Sequence, residues 1–109
     1  MNGPRLMLSH NVFFKLKDRS PTAIQALVAA SHANLATQPG TVFYACGTLE
    51  PELTRPVNDR EFDVALHVVF TDRAAHDAYQ TCAPHQEFIA SQKDNWDTVR
   101  VFDSIVDGV

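Results

Sequence analysis

The chain is short of positive charge. Nine Lys and Arg stand against 13 Asp and Glu, the formal charge is -4, and no basic cluster occurs in the 109 residues. Nucleic acid and anionic membrane both need a basic face, so neither is expected as a partner. Glycine is scarce as well: the four residues are isolated, which leaves no Gly-rich loop to cradle a phosphate. No apolar run approaches the roughly 18 residues that would mark a membrane span. The opening MNGPRLMLSHNVFFKLK lacks the apolar stretch and small-residue cleavage site of a secretory signal. The expected location is the cytoplasm, where the two distant cysteines, Cys46 and Cys82, stay reduced. No repeat or low-complexity segment is present.

The composition that remains is that of a globular domain: 45% hydrophobic and 20% charged residues. The length predicts one domain, 1–109. Residues 7–17 alternate, with Leu8, His10, Val12, Phe14 and Leu16 on one face of a strand. Ser20-Pro21 is an N-cap followed by a first-turn proline. The helix after it runs to about Thr37, with Ile24, Leu27, Val28, Ser31 and Leu35 at helical spacing. Gln38-Pro39-Gly40 stops it. Residues 41–49 read as a second strand. Residues 50–61, with Asp63 just beyond, are acidic and read as a solvated loop. Residues 62–70 read as a third strand, with Phe62, Val64, Leu66, Val68 and Phe70 sharing a face. Asp72 caps a short helix over 73–81, Pro84 starts another of roughly ten residues, and 98–106 is the last strand. The order β-α-β-β-α-β predicts an α+β, ferredoxin-like fold, a four-stranded antiparallel sheet with its helices on one face.

The helices cover one face only. The other should carry Asn11, Phe13, Lys15, Ala65, His67, Val69, Arg100, Phe102 and Ser104. That is too apolar for water at the centre of a sheet, so a homodimer packed through this face is expected. His67 would make structural hydrogen bonds there.

Among the other histidines, His76 reads as solvated, beside Arg73, Asp77 and Gln80, and His32 as a rim residue. His10 is different, because its face-mates Leu8, Val12 and Phe14 bury it. Both its ring nitrogens then need a carbonyl, a water or a ligand. His85 falls in the first turn of the helix that Pro84 starts, where the dipole favours neutral imidazole, a competent base. Tyr79 lies before the helix break and could turn its phenol toward the same ring and hydrogen-bond it. A metal site needs three or four converging ligands. His10, His85 and Cys82 are the conceivable set, but no tight ligand spacing occurs, so no metal and no cofactor are expected.

The stretches SHNVFFKLKD, QPG, FDVALHVVFTDRAAHDAYQTCAPHQEF and VRVFDSIV resemble the stress-responsive A/B barrel family, over about residues 8 to 106. The resemblance implies a dimeric α+β barrel. The family's best-understood enzyme type, olivetolic acid cyclase, closes a linear polyketide by aldol condensation without metal or cofactor. By that resemblance His85 is the catalytic histidine, Tyr79 its orienting tyrosine, and His10 a further pocket histidine. Trp96 and Phe88 match pocket aromatics, and Val12, Phe14, Leu66, Val99 and Val101 would give an apolar lining for a small apolar or phenolic ligand. Two departures stand out. The corner reads Cys82-Ala83-Pro84-His85 where the family writes His-Pro-x-His. Small residues around Ala29 and Ala33 replace bulky ones, which implies a pocket that is either wider or filled by something else. The alternatives are a non-catalytic dimeric stress-response module and a cofactor-free oxygenase on the same barrel. A cavity of roughly 300 Å³ or more would mark a ligand site.

Overall fold

The computed structural model describes residues 5–108. Strand β1 (Arg5–Leu16) is followed by helix α1 (Pro21–Leu35), strands β2 (Thr41–Thr48) and β3 (Val64–Phe70), helices α2 (Arg73–Thr81) and α3 (Ala83–Gln92), a 3₁₀ turn at Lys93–Asn95, and strand β4 (Trp96–Gly108). The sheet order is β2-β3-β1-β4, and every neighbouring pair is antiparallel. This is the α+β, ferredoxin-like arrangement expected. None of the described helices is long and apolar enough to cross a membrane.

The caps form as the sequence implies. Ser20 Oγ accepts from the Ala23 N–H at 3.2 Å, and Asp72 Oδ1 from the Ala75 N–H at 2.8 Å. The two later helices break at Cys82, whose extended backbone (φ -68°, ψ 155°) cannot continue α2. Pro84 then stands in the first turn of α3. α1 is two residues shorter than expected, because its stripe ends with the fully buried Leu35.

The core lies between the helices and the Leu8–Leu16 face of β1, joined by Val64, Leu66, Val68 and Phe70 of β3. Register confirms the parity: Val12 faces Leu66 on one side and Val101 on the other. Coverage is uneven. On edge strand β4, Val99, Val101 and Ile105 stay 40, 49 and 66% exposed on the helix side. The layer between helices and sheet is therefore open along β4.

Two loop expectations are corrected. Asp63 is buried, not solvated: it accepts from the Leu16 N–H at 2.9 Å and from Arg19 Nε at 3.1 Å. These bonds tie the end of β1 to the entry of β3, so regular strand begins only at Val64. The alternation is interrupted at Asp63, and Phe62 points to the other face, where its ring lies 5.0 Å from that of Phe13.

α1 is capped at Ala36 in helical conformation, so Gly40 is not its terminator. Gly40 lies in the turn before β2 with φ +83°, and a Cβ there would run into Ala75 of α2. Gly40→Ala is expected to lower stability by about 3 kcal/mol, combining left-handed strain with overpacking. Urea unfolding should show it as an earlier midpoint with an unchanged slope.

Candidate functional site

The broken helix and the open edge create one cavity of about 150 Å³ between α2, α3 and the sheet. Its floor is β1 and β4, with His10, Val12 and Phe14 beside Val99 and Val101. Leu66 of β3 completes it, and Tyr79, His85 and Phe88 hang from the helices. Trp96, at the start of β4, closes one end. The structure thus brings together all ten residues that the sequence singled out. It adds Leu35, Gln80 and Ile89. Ala29 and Ala33 are exposed on α1 and do not widen the cavity, which is about half the volume set above as the mark of a site.

The cavity has two chemically distinct ends. At one, the rings of Phe14, Phe88 and Trp96 pack with centroids 5.0 to 6.2 Å apart. At the other, His10 is 5% exposed and meets Asp103, its direct cross-strand partner on β4. His10 Nδ1 lies 2.5 Å from Asp103 Oδ1. Gln80 approaches the opposite nitrogen, Nε2, at 3.5 Å. Sequence reasoning left the partner of His10 open. Asp103 shares the parity of Val99 and Val101, which was the available signal.

His76 overturns its expectation. Its side chain is only 15% exposed, and its ring centroid lies 5.2 Å from that of His10. Its Nδ1 bonds Asp77 Oδ1 at 2.9 Å. The flanking polar residues suggested water, but α2 lies down on β1 and turns position 76 inward. His32 sits on the rim as expected, with Nδ1 3.0 Å from the Tyr44 hydroxyl. His67 bonds Asn11 at 2.7 Å on the far face. Cys46 and Cys82 are free thiols.

Tyr79 and His85 meet edge to face, with centroids 4.8 Å apart and planes at 67°. The hydrogen bond expected between them is not formed. Instead the Tyr79 hydroxyl and His85 Nδ1 are both buried without a partner among the described residues, as is Trp96 Nε1. Only one further buried side-chain atom, Thr41 Oγ1, shares that condition among the described residues. Three of the four therefore belong to residues lining this cavity. Burial is the main cause holding the His85 pKa below the ordinary 6.5, and the charges of His10 and His76 push the same way. Burial also raises the Tyr79 pKa, so its phenol stays protonated. The site offers a neutral imidazole, a phenol and an indole N–H inside apolar walls.

No curated protein sequence matches the chain. Solved structures do. A dimeric ferredoxin-like protein of unknown function from Thermobifida fusca shares 19% identity over 93% of this chain and 92% of its own, with a TM-score of 0.77. A Dabb family protein with a ferredoxin-like fold from Mesorhizobium loti shares 19% over 94% and 99%, at 0.76. The hydroxynitrile lyase of Passiflora edulis shares 23% over 97% and 98%, at 0.73. At these identities the likeness is one of fold. The profile of the stress responsive A/B barrel domain matches residues 8–106, nearly the whole chain, and the chain belongs to that family.

Proposed function

We propose that the cavity binds a small aromatic or phenolic carbonyl compound and that His85 acts on it as a cofactor-free general base, in the manner of the family's polyketide cyclases. The observation that carries this reading is the set of partnerless polar atoms on Tyr79, His85 and Trp96. An unmade hydrogen bond costs about 1–3 kcal/mol per buried group, and a ligand with oxygens at the right places would supply those bonds. His85 then removes a proton, and the Tyr79 phenol donates to the oxygen that gains charge. The Passiflora edulis neighbour, a hydroxynitrile lyase, is by name another enzyme that makes and breaks a bond at a carbonyl carbon.

The volume restricts the ligand. About 150 Å³ holds a single six-membered ring. A longer substrate would place one ring inside and extend past Val99 and Val101 toward solvent. The same small volume favours a second reading, a non-catalytic dimeric module in which Phe14, Phe88 and Trp96 are simply core. A thermal-shift screen with phenolic acids, β-ketoacyl mimics and fatty acids separates the two. A ligand at a hundred times its dissociation constant adds about 2.7 kcal/mol, or about ten degrees for a domain of this size. A shift present in wild type and absent in His85→Ala supports the site. Silence across the panel, with His85→Ala merely less stable, supports the module.

The depressed His85 pKa also sets a pH dependence. Above the unfolded imidazole value, His85 is neutral in both states and contributes nothing to pH sensitivity. As pH falls through about 6.5, the unfolded chain takes up a proton that the folded chain refuses, so stability declines until the lower folded pKa is passed. Wild type should therefore lose more melting temperature between pH 7 and pH 5 than His85→Phe does. Equal losses would mean that His85 is solvated.

A further inference from the structure

We propose that His10 and His76, steadied by Asp103, bind a divalent transition-metal ion of the zinc type at the polar end of the cavity. Three elements converge there: β1 supplies His10, α2 supplies His76 and β4 supplies Asp103. One ligating atom from each lies within 4.8 Å of the other two. The hydrogen bonds decide which nitrogens are free. His10 Nδ1 faces Asp103 and His76 Nδ1 faces Asp77, at 2.5 and 2.9 Å. Each carboxylate accepts from an Nδ1–H and leaves Nε2 as a bare lone pair.

Those two lone pairs converge. The Gln80 amide nitrogen lies 3.5 Å from His10 Nε2 and 3.4 Å from His76 Nε2, bridging them as a double donor. An ion between the rings would replace that bridge, and the amide, turned end for end, would offer its oxygen as a third ligand. A carboxylate behind each histidine is the usual outer shell of an imidazole-bound zinc, fixing the tautomer and raising ligand basicity. The low exposure of His10 and the 45% exposed Asp103 side chain give the ion a dry seat and an entry from solvent. A bound ion would keep open coordination positions, which water can fill. No motif announces this group in the sequence, since 65 residues separate His10 from His76.

The test is calorimetric titration of zinc ion into the full chain after chelator treatment, with cobalt absorption as a second readout. One ion should bind per chain. His76→Ala should abolish tight binding together with the visible cobalt bands. Asp103→Asn, which removes only the outer-shell partner, should weaken binding by about 10–100-fold. Cys82→Ser and His32→Ala should bind as wild type does, and circular dichroism of each variant separates lost ligation from lost folding. Absence of binding in folded wild type, or equal binding by folded His76→Ala, overturns the proposal. Metal binding is also distinct from base catalysis at His85. His85→Ala should bind the ion unchanged, and loss of binding there would place the ion elsewhere and overturn this assignment.

Discussion

His85→Ala is expected to lower turnover of any substrate the cavity accepts by about 10²–10⁴-fold while leaving the fold intact. The size follows from what the side chain supplies. A positioned base of suitable pKa contributes a factor of that order, and orientation inside a water-poor pocket contributes separately and survives the substitution. The structural loss is small by comparison. Alanine is a good helix former in the first turn of α3, and the chief packing loss is the edge-to-face contact with Tyr79, about 0.5–1.5 kcal/mol. Tyr79→Phe sharpens the test. It removes only a buried hydroxyl that has no partner among the described residues. Deleting an unsatisfied group relieves a penalty of about 1 kcal/mol or more, so the variant should melt at or above the wild-type temperature. If the phenol serves the reaction, activity should fall in the same variant. A loss of activity alongside retained or increased stability is the mark of a polar group kept for function. The assay is hydrolysis-free ring closure or carbonyl addition with β-ketoacyl mimics and aromatic aldehydes. Unchanged rates in both variants for every accepted substrate would remove His85 and Tyr79 from the chemistry.

The fold and the apolar half of the site were legible because they depend on local periodicity. Alternation in β1 places His10, Val12 and Phe14 on one face whatever the strand pairs with. Cys82-Ala83-Pro84 interrupts a helix wherever that helix packs. The polar half depends on long-range geometry. Asp103 meets His10 only through the β1–β4 register, and no local pattern sets that register. His76 turns inward because α2 rests on the sheet, against the hint of its charged neighbours. Phe62 illustrates a third cause. Asp63 is drawn into bonds with Leu16 and Arg19, and a single interrupted residue reverses the face of everything before it. The missing Tyr79–His85 bond has the same origin: the extended Cys82 sets the angle between α2 and α3, and brings the rings edge to face instead of hydroxyl to nitrogen.

Phe102→Asp is expected to convert a dimer of about 24 kDa, twice the 12.1 kDa chain, into a folded monomer. The face away from the helices carries a connected set of rings, with Phe13 5.0 Å from Phe62 and 5.8 Å from Phe102. Phe102 and Phe43 are 54 and 55% exposed in the single chain. An open cleft of about 260 Å³ lies among Phe13, Phe62, Phe102 and the Arg100–Asp59 ion pair. An apolar cleft on a sheet centre suits a second copy brought by a two-fold axis, and the Thermobifida fusca neighbour is described as dimeric. Because Phe102 is already half exposed, aspartate there costs the monomer little. In the dimer the same change acts twice. Each copy loses about 1.5–3 kcal/mol of aromatic burial and adds a carboxylate in an apolar interface. The sum exceeds about 5 kcal/mol, which weakens association by more than a thousandfold. Light scattering behind size exclusion reads the mass directly, and far-UV circular dichroism checks the fold. A wild type that is monomeric at tens of micromolar, or a Phe102→Asp variant that keeps the dimer mass, would reject this interface. The consequence would reach the cavity, because β1 and β4 would carry the interface on one face and carry the site floor on the other. A partner stiffening that sheet would hold His10, Val12 and Val101 in place without covering the open edge through which a ligand enters.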